Sequence, residues 1–100
     1  NATRAQLAKI IVELSFLDNE MTQSVDAYYQ ANKEAVDSYY NSFGFADEAS
    51  VQNWAKTYMK LAVYAKYFNG SEVDGRNYIY GKNNIKRSEI AAVCTRYLGL

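Results

Sequence analysis

A chain of 100 residues supports one hydrophobic core and little more. Its 49% apolar content excludes disorder as the default, and 11 basic against 11 acidic residues argue against nucleic acid as the main partner, which needs a basic excess. With no histidine the commonest general base and metal ligand are gone, a single cysteine excludes an internal disulfide, and no apolar run reaches membrane-spanning length.

The zero net charge hides an asymmetry. Between Asp18 and Glu48 there are seven acids and one base, Lys33; between Arg76 and Arg96 there are five bases and one acid, Glu89. A local basic patch of that kind suits a small anionic group, although two solvated or mutually facing halves would give the same pattern. The chain opens at Asn1 in what reads as the middle of a motif, so a piece of a longer protein is expected.

In chain order, the first predicted helix starts at Thr3, where Thr3 and Gln6 form a T-x-x-Q capping box. Leu7, Ile10, Ile11, Leu14 and Leu17 follow at helical spacing as its apolar face, with Lys9 and Glu13 off it. A second helix is expected over 22–43. Its stripe is Val25, Tyr28, Tyr29, Ala35, Val36, Tyr39, Tyr40 and Phe43, and Gly44 ends it. The third is expected over 50–68, capped by Ser50, with Val51, Trp54, Ala55, Tyr58, Leu61, Ala62 and Ala65 facing inward and Asn69-Gly70 as its stop. Residues 71–85 read differently: Asp74-Gly75 marks a turn and Tyr78-Ile79-Tyr80 is β-prone, so a loop with very short strands is predicted. The fourth helix is expected over 87–98, stopped by Gly99, with Ile90, Val93, Cys94 and Tyr97 buried. The fold class is therefore all-α, a small bundle of helix–loop–helix units whose extended part is 71–85.

Two helix starts are alike. Thr3-Arg4-Ala5-Gln6-Leu7-Ala8 lines up with Lys86-Arg87-Ser88-Glu89-Ile90-Ala91; behind them Ile10 matches Val93 and Leu17 matches Leu100. Residues 45–100 also carry an ordered set of elements: Phe45-Ala46-Asp47, Trp54-Ala55, Asn69-Gly70, Asp74-Gly75, Ile79, and Ile85-Lys86-Arg87-Ser88-Glu89. In order and spacing this set resembles one S-layer homology repeat, and 1–18 resembles the end of a preceding one. Residues 19–44 match nothing in that pattern and read as an inserted or connecting helix. The departures are Lys86 for the family's threonine, Gln6 for glutamate, Gly81 for proline and Lys66 for a common glycine.

The resemblance implies a non-catalytic, extracellular module that anchors a secreted bacterial protein at the cell wall. Its partner would be anionic, often pyruvylated, secondary cell-wall polysaccharide held in grooves between repeats. No cofactor and no metal are implied. The glycan-binding candidates are Arg87, Arg4, Trp54, Asp47, Gly70 and Glu89. Arg87 and Arg4 stand in first helical turns, where the dipole favours an anion and a guanidinium fork suits a carboxylate. Trp54 would stack on a sugar, and Gly70 would let the ligand near the backbone. Each has a plainer alternative: Trp54 in the core, the arginines solvated, Asp47 a turn residue, and the tyrosine pairs half-buried packing.

Other functions are weighed against this one. The tyrosine face of 22–43 could dock a helical protein partner, leaving the glycan pocket degenerate. A calcium loop around Asp74-Gly75 would have Val73 and Gly75 at ligand positions, which suits it poorly. For an enzyme, no nucleophile–base set or Gly-rich phosphate loop can be assembled.

Overall fold

A computed structural model describes residues 2–99; Leu100, the expected match of Leu17, lies outside the described residues. The elements are α1 (Arg4–Asp18), α2 (Val25–Ala31), α3 (Lys33–Ser42), a 3₁₀ turn (Glu48–Ser50), α4 (Asn53–Tyr64), a hairpin of β1 (Ser71–Val73) and β2 (Arg76–Tyr78), and α5 (Arg87–Leu98). The fold is all-α apart from that antiparallel hairpin and one bridge between Thr3 and Asn84. No described helix is long and apolar enough to cross a membrane.

The capping box of α1 forms as read. The Gln6 N–H donates to Thr3 Oγ1 at 3.2 Å, and the Thr3 N–H donates to Gln6 Oε1 at 2.9 Å. At α5 only half of the box can form, because lysine offers no acceptor: the Lys86 N–H donates to Glu89 Oε1 at 3.0 Å. Gly99 ends α5 in the left-handed region at φ 74°.

Four sequence expectations are corrected. The helix over 22–43 is two helices, broken at Asn32, whose amide donates to the Tyr28 carbonyl at 2.9 Å and leaves the backbone at φ −117°, ψ 16°. Asparagine competes for backbone groups in this way, and the break lets α2 and α3 both reach α4. The third helix starts at Asn53, not Ser50, and stops at Tyr64; Ser50 lies in the 3₁₀ turn. On α1 the buried residues are Ala5, Ala8, Ile11 and Val12, while Ile10, Leu14 and Leu17 are exposed. Periodicity favoured the long side chains, but α1 packs mainly on α4, and both helices bury small residues (Ala5 and Ala8 on α1, Ala55 and Ala62 on α4), the kind that let two helices approach closely. On α5 only Val93 is fully buried.

One continuous buried cluster runs from Ala5 to Val93. Aromatic rings fill its α3 side, where Phe43 stacks on Phe45 at 5.2 Å and Tyr40 tilts against Phe45 at 5.3 Å. The tyrosine stripe of 22–43 is thus largely internal: Tyr29 and Tyr40 are buried, and Tyr28 and Tyr39 pack against the cluster. The tyrosines weighed as a docking face are therefore turned mainly toward the core.

Candidate glycan-binding pocket

The start of α1 is lashed to the segment before α5. The Arg4 N–H donates to the Asn83 carbonyl and the Ala5 N–H to the Gly81 carbonyl, both at 3.0 Å; the Ile85 N–H donates back to the Ala2 carbonyl at 2.8 Å. The first N–H groups of α1, normally orphans open to an anion, are all taken. The expectation that the α1 dipole end holds an anion through its backbone is therefore corrected.

What this lashing builds is a cavity of about 220 Å³ at the junction of α1, α5 and the turn after α4. Phe68, Ile79 and Val93 form its apolar floor, and Arg4, Glu89, Arg96 and Gly70 are among its rim. Arg4 forms an ion pair with Glu89 Oε2 and lies 5.5 Å over the Tyr80 ring, which stacks on Tyr78 at 5.3 Å. Burial pulls the Arg4 pKa below its usual value, and the electrostatic interaction with Tyr80 opposes that pull. Arg96 stands across the cavity with Nη1 donating to the Tyr67 carbonyl at 3.0 Å. Among the described residues no carboxylate lies in ion-pairing range of Arg96. One guanidinium in the pocket is ion-paired; the other is exposed and, among the described residues, has no carboxylate partner.

Of the six candidates, Arg4, Gly70 and Glu89 meet in this cavity. Arg87 is exposed on the first turn of α5, outside it. Trp54 is neither core nor in the cavity. It is 46% exposed, lies on a separate shallow groove with Ala2, Gln6 and Ile10, and donates from Nε1 to Gln52 Oε1 at 3.3 Å. Asp47 is also elsewhere: its Oδ1 accepts the Ile79 N–H at 2.9 Å and its Oδ2 the Tyr80 N–H at 2.8 Å. That carboxylate holds the chain beyond β2 and so sets the position of Tyr80 under Arg4. Gly70 has a packing reason of its own. At φ +75° a Cβ would meet Phe45 Cε1 at 2.5 Å and the Tyr78 carbonyl oxygen at 2.9 Å.

Sequence reading missed Arg96, although the signal was present. Glu89, Ala92, Val93 and Arg96 follow i, i+3, i+4, i+7 on one helix and all line the cavity.

The chain is 30% identical over 94 residues, 94% of its length, to the surface-layer 125 kDa protein of Lysinibacillus sphaericus. It spans about 6% of that protein's length. An alignment of that extent takes in most of 19–44 as well as the repeat-like part. No family model matches the chain, and no solved structure matches it.

Proposed function

We propose that this chain is a non-catalytic cell-surface module of a surface-layer-type protein that holds one acidic substituent of a cell-wall polysaccharide in the Arg4–Arg96 cavity. In this reading 45–100 acts as an S-layer homology-like repeat and 1–18 as the end of a preceding one. The observation that carries it is the cavity itself, formed where the two similar helix starts come together, with an apolar floor and with Arg96, which has no carboxylate partner among the described residues, in its lining. The near-complete alignment with a surface-layer protein supports the cellular setting.

The chemistry is recognition alone. A ketal carboxylate meets the Arg96 fork in a charge-assisted contact, and the apolar floor accepts the methyl and ring carbons of a pyruvylated sugar. Arg4 is held by Glu89 and acts as the wall of the site. Arg87 and Trp54 lie outside this reading because neither reaches the cavity.

Calorimetric titration with pyruvylated secondary cell-wall polysaccharide tests it. Arg96→Ala is expected to weaken binding by about 1.5–3 kcal/mol, the range of a charge-assisted contact, and Arg96→Lys to recover part of that. Arg87→Ala should leave affinity unchanged. No binding by the wild type, or equal binding by wild type and Arg96→Ala, would remove the pocket from the account.

A further inference from the structure

We propose that two copies of this chain pair through α1, antiparallel about a two-fold axis at the level of Ile11. α1 is apolar on two opposite sides. Ala5, Ala8, Ile11 and Val12 face the core, while Ile10, Leu14 and Leu17, at i, i+4 and i+7, form a row on the far side with exposures of 57%, 42% and 77%. Single exposed apolar residues are ordinary, but a row of three beside the half-exposed Trp54 is a patch, and contiguous exposed apolar patches mark interaction surfaces.

Charge complementarity selects a second copy as the occupant. Lys9 and Glu13 stand one turn apart on the same rim of the row. Neither has an ion-pair partner among the described residues; both flank Tyr58 of α4, Lys9 at 5.9 Å from its ring and Glu13 at its hydroxyl, where burial and that carboxylate together raise the phenol's pKa. In an antiparallel two-fold pair the same rim of both helices meets, with levels inverted about the axis. An axis at Ile11 sets Lys9 against Glu13 of the second copy, and Glu13 against its Lys9.

The same register makes the apolar rows interlock. With a rise of about 1.5 Å per residue, Ile10 and Leu14 of the two helices alternate at steps of roughly 3 Å. Leu17 of each copy comes to the level of Ala5 on the other, over the shallow groove of Ala2, Gln6, Ile10 and Trp54. Knob and groove lie on the same face of one chain, so the surface is self-complementary, as an isologous contact requires. The pairing involves none of the cavity residues, and its test is independent of glycan.

Sedimentation velocity on the full chain, run as a concentration series into the high micromolar range, is the experiment. The wild type should shift from monomer to dimer as concentration rises. Leu14→Glu should stay monomeric with an unchanged thermal melt, because that side chain is already exposed. Lys9→Glu and Glu13→Lys should each weaken dimerisation at least tenfold, and the double variant Lys9→Glu/Glu13→Lys should restore it. A wild type that stays monomeric throughout overturns the proposal and leaves the face to a different partner. Dimerisation that survives Leu14→Glu overturns the surface, and a double variant that fails to recover overturns the register.

Discussion

Asp47 uses both carboxylate oxygens on consecutive backbone N–H groups, those of Ile79 and Tyr80, at 2.9 and 2.8 Å. Removing it leaves two half-buried donors without a charged acceptor. Asp47→Ala is therefore expected to cost about 2–3 kcal/mol in chemical denaturation, and Asp47→Asn less, since an amide keeps one acceptor. At Gly70 two penalties combine: a left-handed φ of +75° and a Cβ pressed against Phe45 and the Tyr78 carbonyl. Gly70→Ala should destabilise by about 2–4 kcal/mol in the same assay. Neither role was readable at the level of the residue type. An aspartate before a helix and an Asn-Gly after one are ordinary punctuation in a sequence, and only the folded chain shows what each touches.

At the scale of elements, α2, α3 and α4 are joined by one polar cluster. The Tyr29 hydroxyl donates to Asp37 Oδ1 at 2.6 Å, and the Lys60 ammonium donates to both Asp37 and the Tyr29 oxygen at 3.2 Å. Burial alone would raise the Asp37 pKa, but the hydrogen bonds from Tyr29 and Lys60 outweigh it and hold the carboxyl below its ordinary 3.8. A depressed folded-state pKa contributes stability that is full above the unfolded value and is lost as pH falls through the folded one. Lys60 is the mirror case. Burial would lower it, yet its bonds to Tyr29 and Asp37 raise it above 10.5, so its contribution is lost only as the solution becomes strongly alkaline. Thermal melts should therefore hold level through neutral pH and fall below about pH 4, and Asp37→Asn should flatten that acid limb. At the other end of the molecule the Tyr97 hydroxyl donates to Asp18, which ties α5 to the last turn of α1 and pushes the Tyr97 phenol up to about 12.

At the scale of the whole molecule, the contacts that close the fold join residues from opposite ends of the chain: Arg4 and Ala5 to the carbonyls of Asn83 and Gly81, Ile85 to that of Ala2, and Arg4 to Glu89. The Cα radius of gyration, 13.0 Å, is that of a 100-residue single domain, in keeping with ends that are drawn together. First-turn amides of a helix normally exchange fast. Here those of Arg4 and Ala5 should exchange at least about tenfold slower than unpaired first-turn amides and open together with that of Ile85. Amide hydrogen exchange followed by NMR checks this, and fast exchange at Arg4 and Ala5 would mean that the two ends are not lashed.

Local physics was enough to read the helical class, the capping box at Thr3, the stop at Gly99 and the Asp74-Gly75 turn. Each of these depends on residues within a few positions of one another, where propensity, side-chain reach and the left-handed freedom of glycine decide the outcome. The resemblance between the two helix starts was legible for the same reason. Tertiary structure decided the rest. It put the face of Ala5, Ala8, Ile11 and Val12 on α1 inward rather than the leucine row, because that is the face that packs on α4. It split 22–43 at Asn32, sent Trp54 and Arg87 outside the cavity, and drew Arg96 into it beside Arg4 and Glu89. Periodicity shows which residues share a face of a helix. Which of two apolar faces is buried, and which charges meet across the chain, depends on the neighbour that each face finds.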